Sequence, residues 1–182
     1  MPLRFREDRT TQAAVRLLKH AGGRLPHISL IKLLYLADRK AILELGRPIS
    51  FDRYYSLPNG PILGRTLDLI STEPTPGVES YWRAHISAPK DYEVQLLREA
   101  PGDQLSPAEE GVLDAVFAEF GHWDRWDLVR YTHDLPEWRD PKGSSLPLHL
   151  RDILLHEGLS DADADALEED LKAETLADAL FT

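Results

Sequence analysis

The sequence predicts a mostly helical α+β domain, a compact helical body around a central buried helix at about 29–45 with a small antiparallel β-hairpin at about 81–97. Apolar residues recur at helical spacing through most of the chain. One such segment is apolar around most of its circumference, as a core helix is. Strands and helices do not alternate as a parallel sheet would require. The 182 residues, 42% of them hydrophobic, suffice for one sizeable core and one domain with trimmings.

The first helix is expected from about Thr10 to Ala21, where Ala14, Leu17, Leu18 and Ala21 form a stripe that Gly22-Gly23 stops. The second runs from about Ser29 to Leu45 and ends at Gly46. Leu30, Leu34, Ala37, Ala41 and Leu45 make its main stripe, and Leu33, Ile31 and Ile42 flank it. Asp52 to Leu57 reads as a short extended segment. Asn59-Gly60 signals a turn, and Pro61 suits the first position of a third helix carrying Leu63, Leu67 and Ile70. Thr72 to Gly77 is a loop. Tyr81 to Ser87 and Asp91 to Leu97 alternate around Ala88-Pro89-Lys90 and predict the hairpin. Ser106-Pro107-Ala108-Glu109 is a capping box. Asp124 suits the cap of a helix whose stripe is Trp126, Val129 and His133, and Pro136 closes it. Pro147 opens a helix to about Glu157, and Ser160 opens a last one with Leu167, Leu171, Leu176 and Leu180 on its apolar side. This divides the chain into a domain at 1–158 and an acidic C-terminal helix at 159–182 that packs on it or extends it.

The formal charge is −10, from 31 acidic and 21 basic residues. Phosphate neutralisation needs a surplus of Lys and Arg, so general nucleic-acid binding is not expected. The charge is unevenly spread: residues 1–100 carry a net +4 and residues 101–182 a net −14. Such imbalance fits either a charged interaction surface or a solvated helical face. The absence of cysteine excludes disulfides, thiolate zinc sites and cysteine nucleophiles, and suits a reducing cytoplasm. The most apolar stretch, Ile28 to Leu36, is far short of the ~18 residues of a membrane span, and no secretory signal opens the chain.

The familiar catalytic fingerprints are missing. The chain has no Gly-x-Gly-x-x-Gly, Walker loop, Gly-x-Ser-x-Gly or His-Glu-x-x-His. His149 and His156 stand about two helical turns apart, roughly 10 Å, too far to share an ion. No metal or cofactor is expected. Asp38 falls inside the apolar arc of the second helix, where a carboxylate must be paired or hydrogen-bonded. It is either a satisfied structural acid organising the Tyr54–Pro61 loop or a member of a partner or ligand site. Trp126, His133 and Trp138 pose the same choice between core and interface.

Two ordered blocks resemble a known family. Lys32-Leu33-Leu34-Tyr35-Leu36-Ala37-Asp38, then Gly46-Arg47-Pro48-Ile49 and Tyr54 to Pro61, look like the Panacea domain of SocA-like antitoxins from bacterial and phage toxin–antitoxin systems. Trp126 to His133, followed by Leu135-Pro136-Glu137-Trp138, resembles the family's second signature. The resemblance spans about residues 10–155. It implies a non-catalytic, cytoplasmic protein that binds and neutralises a cognate protein toxin, and in the SocA type delivers that toxin to a ClpXP-type protease. Neither a membrane nor nucleic acid is an expected partner, and the oligomeric state is left open. The matching positions Lys32, Tyr35, Asp38, Tyr54, Asn59, Gly60, Pro61, Trp126, His133 and Trp138 are expected to bind the partner or to organise the fold. Two rivals remain: a hydrolase-like enzyme built on Asp38, Tyr54 and His133, and a DNA-binding regulator using the basic segment Arg4 to Arg53.

Overall fold

The computed structural model describes residues 4–73 and 75–180. Eight helices and five short strands follow in the order α1 (Glu7–His20), β1 (Arg24–Pro26), α2 (His27–Leu45), β2 (Tyr54–Leu57), β3 (Gly60–Leu63), α3 (Gly64–Ser71), α4 (Tyr81–His85), β4 (Glu93–Gln95), α5 (Pro107–Phe120), α6 (Arg125–His133), β5 (Leu146–Leu148), α7 (Leu150–His156) and α8 (Asp161–Leu180) among the described residues. The protein is therefore mostly helical with small antiparallel sheets, as its apolar periodicity requires.

The centre is α2. Leu30, Ile31, Leu33, Leu34, Leu36, Ala37, Ala41 and Ile42 are all buried, so the helix is covered on nearly every side. It packs against α1, α5, α6 and β3. Gly46 closes it with φ +75, a left-handed conformation that glycine adopts without a Cβ penalty. Around this axis α5 begins with the expected capping box: Ser106 Oγ accepts from Glu109 N, and Glu109 Oε2 accepts from Ser106 N at 2.8 Å. Asp124 caps α6 by accepting from Trp126 N at 2.8 Å.

Three expectations are corrected. The helix placed at Pro61 begins instead at Gly64, because Asp52 reaches across from the preceding loop to cap it. Its carboxylate accepts from Arg65 N and Thr66 N, each at 2.9 Å. Pro61 lies in β3, where it pairs with Ser56 in a hairpin turned by Pro58-Asn59. The sheet order β3-β2-β5 makes β3 an edge strand, which tolerates a residue without an N–H. Pro147 is likewise in the edge strand β5, and the helix behind it starts at Leu150.

The hairpin placed at 81–97 is the third correction. Its first arm is the short helix α4, capped by Ser80, with Trp82 fully buried. Glu7 of α1 holds that cap by accepting from Ser80 Oγ and Trp82 N. The second arm, β4, pairs mainly with β1, 69 residues away, through Leu25↔Val94. Isolated bridges such as Ile86↔Leu96 are what remains of the local pairing. Of the expected 72–77 loop, position 74 lies outside the described residues. Among the described residues, no helix is long and apolar enough to cross a membrane.

Candidate functional site

Successive turns of α2 carry three polar groups into the protein interior, and each fastens a different piece of chain. Lys32, almost wholly buried, donates from Nζ to the Pro61 carbonyl at 2.9 Å. Burial lowers its pKa to about 7. Gly60 sits directly above it with φ +101, and a Cβ there would lie 2.7 Å from both Lys32 Nζ and Thr132 Oγ1. The glycine thus lets the hairpin tip close onto α2 and α6.

One turn further, Tyr35 donates to Glu137 Oε1 at 2.7 Å, and Arg39 Nε donates to the same oxygen at 2.7 Å. Arg39 also reaches Glu157. Glu137 is 1% exposed, so this fork of donors compensates its desolvation. Asp38 faces the opposite loop. It accepts from Ile49 N at 2.9 Å, Ser50 N at 3.0 Å, Ser50 Oγ and Tyr54 Oη at 3.1 Å. Burial raises its pKa to about 6, against the pull of those hydrogen bonds toward the ionised form. The Tyr54 phenol is raised by burial and then by the Asp38 charge.

The second family-like block meets the first at the hairpin. His133 hydrogen-bonds the Pro58 carbonyl at 2.8 Å, and Trp138 Nε1 donates to the Leu57 carbonyl at 3.1 Å. The two rings lie 4.3 Å apart. Asn59 stands exposed at the turn between them and solvent. Trp126 departs from its expected core stripe. Leu128, Val129 and Thr132 form the buried side of α6, which leaves Trp126 43% exposed.

The structure therefore brings Asp38 to Tyr54, Lys32 to the Gly60-Pro61 strand, and His133 to Trp138. It does not assemble the hydrolase-like constellation, since Asp38 is enclosed with its own loop while His133 bonds the hairpin tip. Sequence reasoning passed over Glu137, Arg39, Ser50 and Thr132 as site residues. Glu137 had a usable signal, as an acid between Pro136 and Trp138 in the quoted block. Among the described residues no cluster of His, Asp and Glu could hold a metal ion.

An exposed aromatic surface lies beside these buried fastenings. Arg125 extends over the rings of both Tyr92 and Trp126, at 5.7 and 5.4 Å. Tyr92 is 70% exposed in a turn where both Asp91 and Tyr92 have positive φ. Trp126 shares a shallow groove with Trp123, Leu25 and Pro26. Trp123 in turn meets Tyr131 edge-on at 5.6 Å.

A family model described as "Antitoxin SocA-like, Panacea domain" matches residues 30–139, from within α2 to just beyond α6. No curated protein and no solved structure matches the chain.

Proposed function

The chain belongs to the SocA-like Panacea antitoxin family, and from that premise we propose that it neutralises a cognate protein toxin by binding it directly through the aromatic face around α6. The observation that carries this reading is the run of exposed Tyr92, Trp126, Trp123 and Tyr131, with the half-buried Arg125 set over Tyr92 and Trp126. Trp, Tyr and Arg are the residue types that dominate binding energy at protein interfaces. The turn holding Tyr92 is strained at two non-glycine residues, and strain of this kind collects where a surface is pre-organised for recognition.

The buried matching positions have a different task in this reading. Lys32, Tyr35, Asp38, Tyr54, Gly60 and Pro61 hold the hairpin and loops rigid under the face. Asn59, His133 and Trp138 meet at the hairpin tip. The protein acts in the cytoplasm, without membrane or nucleic acid, as a binding protein and not as an enzyme. Delivery to a ClpXP-type protease is a second step that binding alone does not require.

Co-expression with the product of the adjacent reading frame tests the reading. The chain is expected to restore growth and to co-purify with that product. Trp126→Ala is expected to weaken the complex by about 30-fold, the effect of losing a hot-spot residue of about 2 kcal/mol. Absence of rescue by the unaltered chain overturns the proposal. Toxin levels that fall only in cells with ClpXP would indicate delivery, and unchanged levels sequestration.

A further inference from the structure

Helix α8 carries two apolar seams, and the fold uses one of them. Ala164, Leu167, Leu171 and Thr175 turn inward and are buried or half-buried. Ala162, Ala166, Ala173, Leu176 and Leu180 lie on the opposite side of the helix, and all five are exposed. With Glu169 among them, their spacing alternates four and three residues from 162 to 180, the repeat by which one helix packs along another. The seam is about 27 Å long at 1.5 Å per residue, and its small residues admit a close neighbour.

Charge along this seam decides what can cover it. Glu169 stands within the seam, and Asp163 and Asp170 line one edge; none of the three has a cationic partner among the described residues. Asp163 bonds Ser160 in the cap of the helix. The other edge carries Asp165, already paired with Arg151, and Lys172, the one cation of the helix. Charges beside and within such a seam select the charges of the partner. A parallel second copy would set Glu169 against its own counterpart, and an antiparallel one would set the Asp163–Asp170 edge against itself. Both arrangements are repulsive. A helix with Lys or Arg at the facing positions answers all three acids.

We propose that the outer seam of α8 docks a basic amphipathic helix of a partner protein, whose apolar stripe meets Leu176 and Leu180 and whose Lys or Arg side chains face Asp163, Glu169 and Asp170. This surface uses different residues from the aromatic face around α6, and its partner need not be a toxin.

Two synthetic three-heptad peptides test it. Both carry a Leu/Ala seam at the same four–three spacing, and they differ only in having Lys or Glu along its edges. In anisotropy titrations with the full chain, the Lys peptide is expected to bind at least about tenfold more tightly than the Glu peptide. Leu176→Asp/Leu180→Asp is expected to weaken the Lys peptide at least about tenfold, and Glu169→Lys/Asp170→Lys to reverse the preference between the two peptides. All four positions are exposed, so the thermal midpoint of each variant should stay close to the parent's. Trp126→Ala should leave the Lys peptide's binding unchanged, which separates a failure here from a failure of the aromatic face. The proposal is overturned if the Lys peptide does not bind, if both peptides bind equally, or if the leucine variant binds like the parent. Self-association of the chain alone, lost in the leucine variant, would also overturn it, by assigning the seam to a second copy.

Discussion

Asp38 shows how a buried carboxylate can organise a fold and still carry a pH signature. Four donors surround it, yet burial wins and raises its pKa to about 6. The unfolded value is near 3.9. A raised carboxyl pKa makes the native state the better proton binder, so this contribution to stability is full below about pH 4 and is lost as pH rises through 6. The difference corresponds to about 3 kcal/mol. Lys32 has the opposite form. Its lowered pKa of about 7 means that stability is recovered as pH rises from 7 towards the unfolded value near 10.4. Denaturant unfolding followed from pH 4 to 10 is expected to show both slopes. Asp38→Asn should flatten the acid-side slope and Lys32→Met the alkaline one. Gly60→Ala should destabilise by about 2 kcal/mol in the same assay, because it adds a Cβ against Lys32 and Thr132 at a positive φ. The place of Asp38 inside an apolar arc was legible from helical angle alone. The Tyr35–Glu137 bond was not, since its partners stand 102 residues apart.

Among elements, those with strong local signals were readable and those completed by distant residues were not. The periodicity of α2, the Gly46 stop and the α5 capping box need nothing outside their own segments. By contrast, α3 takes its cap from Asp52, α4 from a Ser80 that Glu7 holds, and β4 finds its partner in β1. The last helix, α8, lies between these cases. Its existence was legible, but its apolar stripe was only partly used. Leu171 is buried and Leu167 partly so, while Leu176 and Leu180 are 51% and 83% exposed. The helix is held by Ala164, Leu171 and Thr175 together with ion pairs from Arg151, Arg47 and Arg6. Exposed pairs contribute ~0–1 kcal/mol each and weaken with salt. Hydrogen exchange in α8 is therefore expected to accelerate when salt is raised from 0.05 to about 0.5 M, while α2 amides stay protected. Equal protection of the two helices in high salt would contradict this account.

At the scale of the whole molecule, the charge asymmetry is largely a matching of the chain's two halves. Arg9 pairs with Glu109, Arg16 with Asp114, Arg39 with Glu137 and Glu157, and Arg47 with Glu109 and Glu174. The basic segment that suggested a DNA-binding regulator spends much of its charge in these contacts. The acidic C-terminal helix likewise turns Asp161, Asp165, Glu174 and Asp178 to the body. A fragment ending at residue 158 is expected to fold with α2 intact, because the buried seam lost with α8 is thin. It should unfold at a lower denaturant concentration than the full chain, since Arg6, Arg47 and Arg151 lose partners. Circular dichroism and urea titration of the two chains measure this; failure of the fragment to fold would make α8 part of the domain.

Composition, apolar periodicity and capping chemistry were enough to determine a mostly helical protein around α2 and the two blocks that carry the family resemblance. These are local properties, written in residues a few positions apart. Tertiary structure alone decided which of the matching positions are enclosed and which are offered to solvent. It placed Trp126 outward and Lys32 inward, turned Pro61 into an edge strand, and set basic residues of one half against acids of the other. Such outcomes depend on which distant groups satisfy a buried donor or charge, and no spacing along the chain records that choice.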